Sequence, residues 1–300
     1  MSIIVRPACL DDLKQADALI VRSINDLTER HGFGPMASAG PSAFTSFSLR
    51  DDPAGLWLAE ERGQMRGFAF SWVLGELWFL AQLFVSPDHQ AQGLGDQLLK
   101  RALDHARNSG ATNKALITFA FNKASQGLYI RHGLFPRVPL YFFSVSRQGM
   151  PDRLQGDQLD IISLSDTTKH LENLARIDTL SLGVSREKHH KFLLSDPDVR
   201  GFALHERGEC VGYGYVSSGG HVGPLAVVRA DAAAAAFTTG LNCAIAGGST
   251  QLSAFIPGTS EAVLSIAVEH GMRITFPMML MSAREFGNWT QYLPRNPGFM

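Results

Sequence analysis

The sequence predicts an α/β (α+β) protein made of two tandem copies of one fold, each a mixed, mostly antiparallel twisted sheet flanked by helices. Three observations carry this expectation. The chain has 300 residues, about twice the common size of a single domain. Apolar runs of strand length alternate with runs of helical period. A pattern of the first half also returns in the second: Glu61-Arg62-Gly63 followed by Gly67-Phe68-Ala69-Phe70 recurs, at the same spacing, as Glu206-Arg207-Gly208 followed by Gly212-Tyr213-Gly214-Tyr215. Leu83-Phe84-Val85 has a counterpart in Leu225-Ala226-Val227, and Tyr129-Ile130-Arg131-His132-Gly133 lines up with Ala267-Val268-Glu269-His270-Gly271.

Residues 3–5 read as a short strand, and Asp11 or Asp12 can cap a helix with Leu13, Ala16, Ile20, Ile24 and Leu27 on one face. The aperiodic, Gly/Pro-rich stretch 31–41 reads as a mobile surface loop. Residues 56–60 and 66–73 form a hairpin about Arg62-Gly63-Gln64, and 77–85 follows Gly75 as the third strand of a meander. Past Pro87, a turn through Gly93 and Gly95 opens a helix with Leu98, Leu99, Ala102, Leu103 and Ala106 buried, stopped near Gly110. A strand at 116–120, a helix at 122–132 and a closing strand at 138–145 complete the order βα(α)βββαβαβ. Residues 148–158 read as a linker, after which 159–164 and 171–180 restart the programme. The expected domains are 1–147, a linker at 148–158, and 159–300.

The 27 basic residues nearly cancel the 28 acidic ones, so the charge footprint of a nucleic-acid binder is missing. Residues 1–13 lack an apolar core behind a basic start, and no stretch approaches the ~18 apolar residues of a membrane span. A soluble cytoplasmic protein is expected, monomer or homodimer. Cys9, Cys210 and Cys243 stand far apart and read as small buried residues. His189-His190 is no metal pair, since adjacent helical residues diverge, and no metal is expected.

Leu83-Phe84-Val85-Ser86-Pro87 leads into Gln90-Ala91-Gln92-Gly93-Leu94-Gly95, a glycine-containing turn between a strand and a helix. Unpaired N–H groups at a helix N-terminus, approached closely through glycine, suit an anion such as a pyrophosphate. A plain tight turn explains the same residues. The spacing matches neither a Walker loop nor a GxGxxG fingerprint.

The whole run resembles the central motif of the Gcn5-related N-acetyltransferase (GNAT) superfamily, with Gln90, Gly93 and Gly95 at its defining positions. Asn122-Lys123-Ala124-Ser125, Leu128-Tyr129 and Gly133-Leu134-Phe135 are similar to its second motif, although Ala124 comes one place early and Leu134 precedes Phe135. The resemblance is strong over the first ~147 residues and covers the rest by fold. It implies acetyl-CoA as acyl donor. The main chain of Leu83, Phe84 and Val85 would pair with the pantetheine arm where two parallel strands splay. Gln92, Gly93, Leu94, Gly95 and Asp96 would cradle the pyrophosphate, with Gln90 in the same loop and Asn122, Ser125 and Tyr129 contacting the cofactor.

Acyl transfer needs a neutral amine, stabilisation of the developing oxyanion and a proton for the departing thiolate. By the resemblance, Tyr129 is the acid and the Val85 N–H the oxyanion donor; a core tyrosine is the plain alternative. For the base, Glu76 is either catalytic or a solvated hairpin residue. Gln82 stands where many relatives carry a carboxylate, but an amide cannot take a proton, and water can suffice. His31 and His132 read as structural or exposed.

The second half has Val228-Arg229-Ala230-Asp231 and an alanine run where the first has its glycine turn, Ala267 in place of Tyr129, and Ser260 in place of Asn122. It reads as a degenerate copy that keeps the fold. The layout is similar to that of bacterial two-domain acetyltransferases of the mycothiol synthase type, in which one half catalyses. In some of these the terminal carboxylate reaches the active site, and the loose tail from Leu293 to Met300 would permit that. The expected function is acetylation of a primary amine of a small molecule. A non-catalytic acyl-CoA sensor, or an acetyltransferase for a protein amine, are the rivals. Acceptor specificity is placed in loop 31–41, Phe44, Phe47 and the hairpins.

Overall fold

The computed structural model describes residues 3–40, 43–165 and 168–300. Pro41, the last residue of the expected loop, and Met1 and Ser2 lie outside the described residues. The chain divides into two compact units, one of Met1–Phe135 with Met281–Arg284, the other of Pro136–Leu280 with Glu285–Met300.

In unit 1 the elements are β1 (Ile4–Pro7), α1 (Leu13–Arg30), α2 (Ala43–Asp51), β2 (Leu56–Glu61), β3 (Gln64–Leu74), β4 (Leu77–Val85), α3 (Leu94–Asn108), β5 (Asn113–Phe119) and α4 (Lys123–Arg131). The strands lie in the order β1-β2-β3-β4-β5. All neighbours are antiparallel except β4 and β5, which are parallel. Arg62 and Gly63 both take positive φ (54° and 72°), the two-residue turn whose twist matches that of a hairpin. Alternation buries Leu56, Leu58, Phe68, Phe70 and Trp72, and the apolar stripe Leu94, Leu98, Leu99, Ala102 and Ala106 of α3 closes one side of the core. A Cβ on Gly67 would stand 2.6 Å from Leu98 Cδ1, so glycine is what lets α3 seat there.

Two expectations are corrected in this unit. Cys9 is exposed, with Sγ 3.1 Å from Asp12 Oδ2, because it sits at a turn before α1 instead of on its buried stripe. The described part of loop 31–41 is pinned: Asn25 Oδ1 accepts from the N–H groups of Met36 and Ala37, its Nδ2 donates to the Ala37 carbonyl, and buried Thr28 donates to the Gly34 carbonyl.

Unit 2 repeats the programme. It contains β6 (Phe135–Ser146), β7 (Asp160–Ser163), α5 (Thr168–Leu182), α6 (Glu187–Ser195), β8 (Val199–Glu206), β9 (Glu209–Ser217), β10 (His221–Val227), α7 (Ala233–Ala246), β11 (Gln251–Pro257), α8 (Glu261–Glu269), β12 (Arg273–Ser282) and β13 (Tyr292–Leu293). The strand order is β12-β6-β11-β10-β9-β8-β7, with β13 on β10. Thus β7 to β11 reproduce β1 to β5, including one parallel pair, β10 with β11. The alanine run is explained by burial: α7 hides Ala233, Ala236, Phe237, Gly240, Leu241 and Ala244, so small side chains let it pack closely.

The strand expected to close the first half belongs elsewhere. β6 pairs antiparallel with β11 from Gln251↔Ser146 to Pro257↔Leu140, and the units part between Phe135 and Pro136, not at 147. Backbone pairing satisfies seven successive positions of β6 there, a non-local choice that a hydrophobic pattern does not encode.

His221 is half-buried in this unit, its Nδ1 3.0 Å from Ser253 Oγ and its Nε2 2.6 Å from the Arg295 carbonyl. Burial, then the nearby Arg295 charge, push it from its ordinary 6.5 down to about 4. The neutral ring favours the fold. Its contribution is therefore complete above pH 6.5 and is lost as pH falls toward 4, on the order of 3 kcal/mol. Denaturant unfolding of wild type and His221→Gln across this range should show the acid loss reduced in the variant; parallel profiles would contradict the assignment.

Candidate functional site

The site of unit 1 starts from a defect in strand pairing. β4 pairs with β5 only from Leu77↔Asn113 to Leu80↔Leu116, although both strands run on. At the same place its register with β3 slips: Ser71 faces Leu80 and Phe70 faces Gln82, so Ala81 is an extra residue. Such a bulge bends its strand and raises its twist. β4 and β5 accordingly part, and residues 81–85 become half-buried after four buried positions.

Ladder phase then determines what the parted edge presents. The Ser86 N–H donates to the Arg66 carbonyl at 2.8 Å, so Val85, one place earlier, directs its own N–H and C=O away from β3, to the side that β5 has left. The Val85 carbonyl accepts from Ser23 Oγ (3.3 Å) and Gln90 Nε2 (3.2 Å), and Arg22 donates to Ser86 Oγ at 2.7 Å. Side chains of α1 and of the loop thus fix the strand end.

Next comes the turn into α3. Ala91 (φ 60°) and Gly93 (φ 80°) are left-handed, Gly93 is the N-cap, and the first helical bond is from the Gln97 N–H to the Gly93 carbonyl at 3.2 Å. The N–H groups of the preceding turn are those that a helix cannot satisfy internally. Ala91, Gln92 and Gly93 are exposed. A Cβ on Gly95 would lie 3.7 Å from Leu128 and 3.8 Å from Val85, so the helix start, the strand end and α4 meet at one point. The Asp96 carboxylate is turned aside, 2.7 Å from both Lys100 and His132, which hold it below the usual carboxylate range; its main chain remains in the first turn.

Asn122 caps α4, accepting from the Ser125 N–H at 3.2 Å. Tyr129 is buried on the same helix; burial raises its phenol well above the ordinary range, against the opposing effect of a hydrogen bond with Ser125. It therefore holds its proton at neutral pH. An open edge of N–H groups, an anion-suited helix start with exposed glycine, and a protonated phenol on the adjoining helix fit a phosphate-bearing thioester.

Glu76 is not part of this assembly. It precedes β4, whose far end is Val85, a separation of roughly 30 Å at strand rise, and its carboxylate accepts from Thr112 Oγ1 at 2.8 Å. It is a hairpin residue. Gln82 is at the bulge instead, with a buried Oε1 that has no hydrogen-bond partner. His31 ends α1, its Nδ1 2.8 Å from the Leu27 carbonyl. Sequence reasoning missed Arg22 and Ser23, polar positions within an amphipathic helix that carry no motif.

In unit 2 the equivalent positions are occupied. The Val228 N–H donates to the Val211 carbonyl at 2.9 Å, matching Ser86 and Arg66, and so gives β10 the same phase. Here, however, β13 pairs at Leu225↔Leu293 and Ala226↔Tyr292, and the Val227 N–H, counterpart of Val85, donates to the Gln291 carbonyl at 2.9 Å. The tail is not loose: Tyr292, Leu293, Phe299 and Met300 are buried, and Arg186 donates to the Met300 carbonyl at 2.8 Å. The chain enters α7 through right-handed Ala232 without glycine. Ser260 stands at the N-cap of α8 as Asn122 does at that of α4, but without a side-chain cap bond, and Met272 N–H to Ala267 O repeats Leu134 N–H to Tyr129 O, so Ala267 does stand in the place of Tyr129.

Residues 22–134 match the acetyltransferase (GNAT) family. An uncharacterized N-acetyltransferase, YhfO, of Bacillus subtilis is 33% identical over 100 residues, 31% of this chain and 67% of that protein. The mycothiol acetyltransferase of Streptomyces coelicolor is 38% identical over 87 residues, 27% of either chain, so the match spans about a quarter of that relative. A structure of a putative acetyltransferase from Pyrococcus horikoshii superposes with a TM-score of 0.78 over 99% of this chain and 96% of that one, at 17% identity, which shows a shared fold. The chain belongs to the acetyltransferase (GNAT) family.

Gly93 has open space around its absent Cβ, so a substitution there tests backbone conformation alone. Gly93→Ala should cost about 1–2 kcal/mol of unfolding free energy; an unchanged denaturant midpoint would mean that the turn is not held left-handed.

Proposed function

We propose that unit 1 is an acetyl-CoA-dependent N-acetyltransferase acting on a primary amine of a small molecule, and that unit 2 keeps the fold without the chemistry. The observation that carries this reading is the contrast between Val85 and Val227: the same main-chain N–H faces an open strand edge in one unit and is bonded to Gln291 in the other. Family membership supports the reaction class.

Acetyl-CoA supplies the acetyl group activated as a thioester. The N–H groups of Gln92, Gly93, Leu94, Gly95 and Asp96 would hold its pyrophosphate at the positive end of α3, with the Gln90 side chain bracing the loop against the Val85 carbonyl. The main chain of Leu83, Phe84 and Val85 offers a strand edge to the pantetheine amides, while Asn122 and Ser125 flank it from the start of α4. The Val85 N–H is aimed to donate to the carbonyl oxygen as charge develops on it. The amine nitrogen would attack the carbonyl carbon with loss of the carbon–sulfur bond, the Tyr129 hydroxyl would give its proton to the departing sulfur, and the proton shed by the amine to water would be returned from water to Tyr129. No carboxylate is required as base, because water suffices for an amine that is partly neutral.

Loss of the acid should separate binding from turnover. Tyr129→Phe should bind acetyl-CoA as wild type does and release free thiol in the presence of amine about 10²-fold more slowly. Equal turnover by the two proteins would remove Tyr129 from the mechanism.

A further inference from the structure

Aromatic rings crowd the acceptor side of the open cleft in unit 1. Phe119, the last residue of β5, stacks on Phe121 at 5.0 Å, and Phe121 carries Phe33 at 4.7 Å and 23° and His31 at 4.9 Å. Phe33 keeps 39% of its surface in solvent. Its ring is not what holds the loop down, since Asn25 and Thr28 do that through four hydrogen bonds to residues 34–37. The stack therefore leaves a flat apolar face exposed on a pinned support.

The pairing of β4 with β5, continued past Leu80↔Leu116, puts Thr118 and Phe119 about level with Gln82 and Leu83 on the facing strand. On its other side Gln82 is opposite Phe70, which packs against Phe44 of α2 at 5.6 Å. Gln82 Oε1 is buried and has no hydrogen-bond partner, and by strand register its residue stands between Phe70 on β3 and the end of β5. A buried acceptor left unpaired is costly, and a ligand N–H would complete this one.

We infer that the acceptor is a primary amine carried on an aromatic body: its ring stacks on the Phe33–Phe121 face, and its N–H donates to Gln82 Oε1. This rests on the acetyl-transfer reading of the same cleft. Gln82 takes no proton; it orients the neutral nitrogen with its lone pair free, and the proton lost when the carbon–nitrogen bond forms passes to water. An amide suits this task because it accepts a hydrogen bond without attracting a cation.

The probes are 2-phenylethylamine and n-hexylamine, titrated calorimetrically into protein saturated with coenzyme A, where no acetyl transfer occurs. The aromatic amine should bind at least tenfold more tightly. Phe33→Ala, a change at an exposed ring, should abolish that preference, and Phe33→Trp should retain it. Gln82→Met, which keeps length and loses the acceptor, should weaken both amines about tenfold while coenzyme A binds as before. Equal affinity for the two amines in wild type, binding of neither, or a preference that survives Phe33→Ala would overturn the inference. Failure of the wild-type protein to bind coenzyme A is a separate result, which overturns the acetyl-transfer reading itself.

Discussion

The structure of unit 1 depends on one extra residue in β4. Without Ala81 the strand would continue its parallel ladder with β5 beyond Leu80, and its last N–H groups would be satisfied internally. With it, the sheet keeps antiparallel bonding to β3 on one edge and presents unpaired main chain on the other. The bonds of Ser23, Gln90 and Arg22 to residues 85 and 86 then hold that edge in place, so the cleft is a fixed feature of the resting fold. The helix start at Gly93 and the capped helix at Asn122 converge on it through the contact of Gly95 with Val85 and Leu128.

Unit 2 shows what the same topology does when the edge is filled. Its register also slips, between Val222 and Leu225, and β10 likewise leaves β11 after two paired positions. β13 then takes up the released main chain. Behind it stands a buried polar network. Asp178 accepts from Tyr213 Oη (2.5 Å), bonds His190 Nε2 (2.8 Å) and accepts from the Arg186 N–H (3.0 Å), while Arg186 reaches Tyr292 and Met300. Each of these side chains is fully buried, so their polar atoms must find partners inside, and the tail provides two of them. Tyr213 and Tyr215 occupy the positions of Phe68 and Phe70 in the repeat; an apolar layer in one unit is a hydrogen-bonded layer in the other.

Much of this was legible in the sequence. The period of Leu94 to Ala106 gave α3, the Arg62-Gly63 turn gave the hairpin, and the internal repeat gave the equivalence of Tyr129 with Ala267, later seen in matching backbone bonds. What stayed hidden is non-local. Nothing in residues 138–145 says that they pair with β11, nothing in 291–293 says that a polar, Pro-flanked tail is a strand, and the bulge at Ala81 is a matter of register that composition does not record. Of the two readings of Glu76 the structure keeps the hairpin one, because this carboxylate beside the right strand stands at its wrong end. The ring stack of Phe33, Phe119 and Phe121 comes from a loop, a strand end and a turn, with no shared period to reveal it.

The central claim is that, among the described residues, the chain has one open cleft, because the Val85 N–H lacks the strand pairing that occupies the Val227 N–H. Calorimetric titration of acetyl-CoA into the full chain tests it most directly. The account predicts one equivalent bound per chain; two equivalents, or none, would contradict it.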